Sequence, residues 1–295
     1  MSSFTLAIGF GLVSSASLAL GAAGFSMQFG VANIFNLAYG AVMTVGMYVA
    51  YVVNVDAGAS IWVALLCGAL AGALVSWLLN GCVFAPLRRR RVSLWAITIV
   101  TFAVSLVVGG VLLAAGGTAT RIYNQPSYPS ARFLGMVLTT EQIAIIGVSV
   151  AAMAGLHALL RYTRLGKEMR ATAANPELAR TSGIRTARVA SIAWLLSGLL
   201  CGAAGVTEAI NLTSFDSGTG GTLLLLVIAA AVFGGVGQPY GAMLGALVIG
   251  MTTELAALVS PNLKDVFAFA ILALMLLVRP NGLIPAPMVG EVAIQ

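Results

Sequence analysis

The chain has 295 residues, of which 60% are hydrophobic and only 8% are charged. A soluble domain has about 25% charged residues, so 15 Lys and Arg with nine Asp and Glu are too few to cover a soluble protein of this size. The composition excludes a soluble enzyme, a disordered chain and a fibrous protein. It predicts a polytopic integral membrane protein.

The apolar segments have helical length and are rich in Gly, Ala, Leu and Val, which favours an all-α bundle of transmembrane helices over a β-barrel. We expect about eight to ten spans. The interrupted stretch 25–36 is expected to form a broken or re-entrant piece, and the short span 222–237 is also a candidate for a break because it ends in glycines and Pro239. The predicted spans lie near 4–24, 37–54, 60–84, 93–115, 141–160, 189–210, 222–237, 241–259 and 266–279.

Basic residues are concentrated in two segments, with four arginines at 88–91 and seven Lys and Arg at 161–188. Short basic loops stay in the cytoplasm, so both segments are predicted inside, with the N-terminus outside and the C-terminus inside. Because no Lys or Arg precedes Arg88, the first apolar segment is interpreted as a retained helix rather than a signal peptide. The net charge of +6 is explained by topology, and no nucleic-acid partner is predicted.

Two further sequence features concern packing and chemistry. Glycines four residues apart predict close helix contacts, and they occur at Gly68 and Gly72, Gly198 and Gly202, and Gly241 and Gly245. The three cysteines form no CxxC pair and His157 is the only histidine, so no metal or redox site is predicted. Trp194 and two other tryptophans fall near predicted span ends, where interfacial aromatic residues are expected.

The long segment 161–188 contains the signals of a short helix. Asn175 is suited to the N-cap, Pro176 to the first helical position and Glu177 to the first turn, and Gly183 supplies a stop. The predicted helix has about two turns. These residues alone leave two interpretations open: a helix that docks into a partner's groove, or a connector that rests on the membrane surface.

Several motifs, taken in order along nearly the whole chain, resemble the permeases of ABC importers, of the branched-chain amino acid type. In that family the motif at 36–40 usually has His where Tyr39 stands, and an acidic residue where Ala41 stands. The motifs are Arg164–Ala173, Asn175–Arg180 with Gly183 and Ile184, Val227–Gly237, Gly241–Ala246, Lys264–Val266, Arg279–Leu283, and Asn36-Leu37-Ala38-Tyr39-Gly40.

The resemblance implies a single permease domain over 1–295, in the bacterial inner membrane, with a cytoplasmic coupling loop at 161–188. It implies two cytoplasmic ATP-binding subunits, a second, similar permease and a periplasmic or extracellular substrate-binding protein as partners, besides membrane lipid. The chain has no G-x-x-x-x-G-K-[ST] motif, so no cofactor is expected in it, and ATP and Mg would bind the partner subunits. The implied coupling residues are Arg170, Asn175, Pro176, Glu177, Leu178, Arg180 and Gly183.

Candidates for the substrate path are polar or motif residues in or near the predicted spans. For those in 25–36 the alternative is hydrogen bonding between helices. For the two glutamates, near the outer ends of their spans, the alternative is a solvated interfacial position. The candidates are Gln28, Asn33, Asn36, Tyr39, Gly40, Glu208 and Glu254.

The predicted function is the permease subunit of an ATP-driven, binding-protein-dependent importer of branched-chain or other hydrophobic amino acids. The alternatives are an ABC permease for urea, amides, carboxylates or sugars, and an ATP-independent secondary transporter. The segment 161–188 and the scarcity of acidic residues within spans disfavour the secondary transporter. An enzyme is not predicted, because HExxH and G-x-S-x-G motifs are missing.

Overall fold

The computed structural model describes residues 3–124, 130–133, 136–260, 263–280 and 282–284. Part of the expected outer loop 116–141, Asn281 and the expected cytoplasmic C-terminal residues 285–295 lie outside the described residues. The helices are α1 (Ser3–Ala32), α2 (Tyr39–Tyr51), α3 (Ile61–Leu79), α4 (Ala85–Arg89), α5 (Leu94–Gly116), α6 (Thr140–Tyr162), α7 (Arg164–Ala174), α8 (Pro176–Thr181), α9 (Thr186–Asn211), α10 (Thr219–Gly234), α11 (Pro239–Ala256) and α12 (Lys264–Val278), and the two antiparallel strands are β1 (Ser130–Phe133) and β2 (Met136–Thr139).

The all-α class is confirmed, apart from the small hairpin β1–β2. Within the described residues, five helical stretches are long and apolar enough to cross a membrane, and the bent pair α10–α11 makes a sixth if it counts as one span. The sequence predicted more spans because it counted α10 and α11 separately and included α2 and α12. α12 has 15 residues, and α2 has 13 before it continues through the five-residue π-helical turn Val52–Asp56. Both stretches are shorter than the roughly 20 residues that a full crossing needs.

Two predicted boundaries differ from the structure. α1 continues through the polar residues of 25–32 and ends at Ala32, because the next residue, Asn33, has a φ of +50° that stops the helix. α3 continues through a π-helical turn, Asn80–Phe84, into α4, so Arg88 and Arg89 lie on a helix rather than in a loop. Positive side chains in a last helical turn favour the helix because they offset its dipole.

The α10–α11 pair bends by 118° at 235–238. Gly235 and Gly237 have φ values of +108° and +89°, a region that side chains disfavour, and Pro239 begins α11. A break at the end of the predicted span 222–237 is therefore confirmed.

The core lies where α1 packs against α9 and α11, and where α3 packs against α9. Two of the three glycine pairs predicted from spacing meet each other at the α3–α9 contact, while Gly241 and Gly245 lie against α10. A Cβ atom on Gly72 would lie 2.5 Å from the carbonyl oxygen of Gly198, and one on Gly202 would overlap the carbonyl of Gly68. The α3–α9 contact therefore requires backbones at van der Waals distance.

Trp194 is an exception to the expected interfacial aromatics. It is fully buried in α9, and its ring stacks on that of Phe84 with centroids 4.8 Å apart. Trp95 on α5 is 83% exposed, as a lipid-facing side chain can be. The position of a tryptophan near a span end therefore did not distinguish a membrane interface from a protein core.

At the end of the bundle where α2 and α9 terminate, two connections between helices pair with each other. Arg121 and Phe215 exchange backbone hydrogen bonds of 2.8 and 3.0 Å. The Arg121 guanidinium lies 5.3 Å from the centre of the Tyr51 ring and donates to the carbonyl of Gly116 at 2.8 Å. Tyr123 donates to the carbonyl of Met47 at 3.1 Å, and burial raises its pKa, so its hydroxyl stays a donor.

Candidate functional site

The segment 161–188, expected to contain one short helix, contains two. The unpredicted α7 begins at Thr163, whose hydroxyl accepts from the backbone N–H of Gly166 at 3.1 Å. Met169 anchors the helix, because its side chain is 1% exposed and α7 packs against α1, α6 and α9. An amphipathic pattern around Met169 was the signal that could have revealed this helix.

Arg170 fixes α7 to the end of α6. Its guanidinium donates to the carbonyl oxygen of Leu160, near the C-terminus of α6, where a positive charge is favoured. Gly166 lies against the carbonyls of Leu159 and Leu160 so closely that a Cβ atom would overlap them. The predicted coupling residue Arg170 therefore holds α7 in place on the bundle.

The predicted limits of the short helix are confirmed in α8. The side-chain oxygen of Asn175 accepts from the backbone N–H groups of Glu177 and Leu178 at 3.0 and 2.9 Å, and Pro176 is the first helical residue. At the other end, Gly183 has a φ of +86° and its N–H donates to the carbonyl of Arg180 at 3.1 Å. Both ends of α8 are thus capped.

The exposed face of α8 carries the side chains that are expected to dock onto a partner. Leu178 is 64% exposed, and Glu177 and Arg180 are exposed beside it, while Ala179 is buried underneath. Residues three apart share a helix face, so an apolar side chain is flanked by one acidic and one basic group. This face is complementary to an apolar groove with charged edges.

Two of the path candidates, Gln28 and Tyr39, contact Ser197 in the middle of the bundle. The Ser197 hydroxyl donates to the side-chain oxygen of Gln28 at 2.9 Å. The Tyr39 hydroxyl lies 3.0 Å from the carbonyl of Gly21 and 3.3 Å from that of Ser197. Gln28 and Tyr39 are each 1% exposed, and the Gln28 Nε2 atom has no hydrogen-bond partner among the described residues. Ser197 was missed because a lone serine in an apolar helix carries no distinctive pattern.

The other candidates near the start of α2 have local roles. Asn36 accepts from the backbone N–H of Ala38 at 3.1 Å and shapes the turn that precedes the helix. Gly40 allows a close approach, since a Cβ atom there would lie 2.5 Å from the carbonyl of Gly220. Asn33 is exposed and lines a cavity of about 600 Å³, together with Arg170 and Pro176 of the segment 161–188.

The two glutamates belong to one polar cluster where α1, α9, α11 and α12 meet. Glu254 accepts from the Lys264 ammonium at 2.8 Å and from the Ser14 hydroxyl at 3.3 Å, and Asn211 donates to Ser14 at 3.3 Å. Glu208 is only 9% exposed, interacts electrostatically with Glu254 and Lys264, and has one carboxylate oxygen, Oε2, without a partner in the part of the chain that the structure describes. A solvated position for Glu208 is therefore wrong. Sequence reasoning missed Lys264, because the sequence does not show that α12 begins beside the end of α11.

A bundle of membrane-spanning helices with a buried polar centre, and with a capped, exposed helix at its basic end, has the architecture of a transport permease. The profile of the family described as "Branched-chain amino acid transport system / permease component" matches residues 7–276. The chain belongs to this family and is a permease subunit of an ABC importer. Its apolar helices and its membership of this family together identify it as a multi-pass protein of the bacterial inner membrane. A permease of this family works with ATPase and substrate-binding components.

Curated relatives align over almost the full chain. The high-affinity branched-chain amino acid transport system permease protein LivH of Escherichia coli K12 is 28% identical over 302 residues, with 96% of each chain covered. The corresponding protein BraD of Pseudomonas aeruginosa is 27% identical over 301 residues, again with 96% of each covered. A probable LivH of Methanocaldococcus jannaschii is 28% identical over 83% of this chain and 78% of its own. No solved structure matches the chain.

Proposed function

We propose that this chain, as one permease domain over 1–295, imports branched-chain or other hydrophobic amino acids. The observation that supports the substrate class is the end-to-end similarity to LivH and BraD, whose names state branched-chain amino acid transport. The chain itself is the non-catalytic subunit, and ATP and Mg bind the partner ATPases.

The observation that supports the coupling mechanism is that the segment 164–183 combines a helix packed against the bundle, α7, with an exposed helix, α8. α7 is anchored by Met169 and Arg170, and α8 presents Leu178 between Glu177 and Arg180. Force applied to α8 by an ATPase would pass through α7 to α1, α6 and α9, which α7 contacts. ATP can drive transport only if it binds two conformations with different affinity, and docking at α8 carries that difference.

The proposed assembly contains two ATPase subunits and a second, similar permease, with the translocation path where the two permeases meet. Gln28 and Tyr39 form the polar centre nearest that path, with Asn33, Asn36 and Gly40 beside it. Glu208 and Glu254 lie towards the outer mouth, where carboxylates attract the ammonium group of an amino acid. A binding protein delivers substrate to the outer connections, including the paired Arg121 and Phe215.

The orientation, with the N-terminus outside and the C-terminus inside, rests on the basic segments 88–91 and 161–188. It is tested by cysteine labelling in whole cells with a membrane-impermeant maleimide. Cys82 is exposed and is replaced by serine first. Leu212→Cys in the outer connection should label, and Ser182→Cys at the end of α8 should label only after the membrane is opened. Labelling of Ser182→Cys in intact cells contradicts the proposal.

The coupling role is tested by cross-linking within the assembled transporter. Leu178→Cys, again without Cys82, should form a cross-link to the ATPase subunit with a short bifunctional maleimide. The matched control is Leu66→Cys on α3, an apolar residue of similar exposure (60% against 64%). Equal cross-linking of both variants, or of neither, would refute the docking role of α8.

The substrate class is tested by uptake into proteoliposomes that contain the permeases, the ATPases and the binding protein. ATP-dependent uptake of leucine or valine, without uptake of ribose or urea, is expected. Leucine uptake that persists without ATP contradicts the ABC mechanism. Uptake of urea or ribose in place of leucine contradicts the substrate class alone.

A further inference from the structure

Two adjoining cavities lie at the end of the bundle that carries α7. The larger cavity, of about 600 Å³, lies between the end of α1, α7 and the α10–α11 bend. The smaller, of about 520 Å³, is lined by His157, Arg161, Arg170 and Tyr240. Arg170 and Tyr240 line both cavities, so a single ligand can reach from one into the other.

The larger cavity is mainly apolar, with polar groups at a few places. Apolar walls are typical of sites for hydrophobic ligands. Thr172 lines it with a hydroxyl that has no partner among the described residues, although the residue is only 3% exposed. A buried hydroxyl without a partner costs free energy, which a ligand acceptor would recover. The apolar wall includes Met27, Phe29, Met169, Val232 and Val236.

The electrostatics of both cavities favour an anion. Two guanidinium groups, of Arg161 and Arg170, line the smaller cavity. The N-terminus of α11, at Gln238 and Pro239, lines the larger one, and Gln238 makes no side-chain capping bond there. Helix N-termini favour negative charge. Among the described residues that line the two cavities, none is Asp or Glu.

This arrangement fits an amphiphile better than the transported amino acid. The ammonium group of a zwitterionic amino acid is held most strongly by a carboxylate, and the described linings of the cavities offer none. An anionic phospholipid has a phosphate for the arginines and acyl chains for the apolar wall. Arg161 lies one residue before the end of α6, in the segment whose positive charge indicates the cytoplasmic leaflet, where anionic lipids and basic pockets meet.

We infer that these two cavities form a binding site for one anionic phospholipid, with its phosphate between Arg161 and Arg170 and an acyl chain in the larger cavity. The Thr172 hydroxyl donates to an oxygen of the lipid's glycerol ester region. Bound there, the lipid would connect α7 to α1 and to the α10–α11 bend. The site is independent of the substrate that the transporter carries.

The test uses the full transporter and the purified full-length permease, each in nanodiscs of phosphatidylcholine with or without phosphatidylglycerol. Native mass spectrometry then counts the lipids that remain bound. We expect one retained phosphatidylglycerol per permease and no such retention of phosphatidylcholine. Arg161→Gln should weaken retention about fivefold, as expected for one arginine near an anionic surface. Thr172→Val, which keeps the side-chain shape, should weaken it by a smaller factor.

Arg185→Gln is the matched control, because Arg185 is an exposed arginine of the same segment that lines neither cavity. It should retain the lipid as wild type does. Equal retention of both lipids, or equal effects of Arg161→Gln and Arg185→Gln, would overturn the inference. If inorganic phosphate displaces the lipid, the cavities are a site for a free anion instead. If the lipid is lost when the ATPase subunits bind, the cavities belong to the interface with that protein partner. Either result also overturns it.

Discussion

The ammonium of Lys264, at the start of α12, lies 2.8 Å from a carboxylate oxygen of Glu254, near the end of α11. Glu208 interacts with both groups from α9. The lysine therefore compensates the charge of a cluster with two carboxylates, and it links α12 to the bundle core.

Replacing Lys264 by methionine should destabilise the protein, because the two glutamates then lose their positive neighbour. The Lys264–Glu254 ion pair is partly exposed. The expected loss in free energy of unfolding, about 1–3 kcal/mol, therefore lies between the losses measured for exposed and for buried ion pairs. Thermal unfolding in detergent would show a lower midpoint. Lys167→Met, at an exposed lysine of α7, should leave it unchanged, and adding Glu254→Gln to Lys264→Met should recover part of the loss. A midpoint equal to that of Lys167→Met contradicts this role for Lys264.

A second prediction concerns the Tyr39 hydroxyl, which lies within hydrogen-bond distance of the carbonyls of Gly21 and Ser197. Tyr39→Phe leaves these buried carbonyls with fewer partners and should cost about 1 kcal/mol of stability. The same change at Tyr162, which is 73% exposed, serves as the control and should have no effect. Unfolding midpoints that move equally in both variants would show that the buried bonds contribute nothing.

The close α3–α9 contact leads to a third prediction. Gly72→Ala places a methyl group 2.5 Å from the Gly198 carbonyl, and overpacking of this kind costs about 1–3 kcal/mol. Gly109 lies in α5, where a Cβ atom would have open space, with none of the described residues within 4 Å. Gly109→Ala should therefore be neutral or slightly stabilising, since alanine favours helix. Thermal unfolding of the two variants compares them directly, and equal midpoints would mean that α3 and α9 are not closely packed.

The fourth prediction concerns coupling. Glu177→Arg reverses one charge on the exposed face of α8 and leaves the Asn175 cap in place. It would break the proposed ion pair between Glu177 and a basic group of the ATPase. If that ion pair contributes about 1.4 kcal/mol to docking, ATP-driven uptake should fall tenfold or more. Membrane insertion should stay normal. Glu168→Arg reverses the charge of an exposed glutamate on α7 and should retain uptake. Normal uptake by Glu177→Arg would remove Glu177 from the docking surface.

The features predicted correctly are those encoded by neighbouring residues. Asn175, Pro176 and Gly183 act on the backbone within one or two turns, so the limits of α8 followed from their order alone. The polar cluster at Glu254 was beyond such reasoning, because Ser14 and Lys264 reach it from α1 and α12. The predicted end of the first span was wrong because Ser26 and Gln28 lie inside a buried helix, where other helices surround them.

The amino-acid sequence by itself determined that the chain lies in a membrane, that it is built of apolar helices and where α8 begins and ends. These follow from composition, segment length and local hydrogen bonding. Only the tertiary structure decided that Gln28 meets Ser197, that Glu208 is buried and that Lys264 pairs with Glu254. The physical reason is that such contacts join residues far apart in the chain, and their distance depends on how all the helices pack at once.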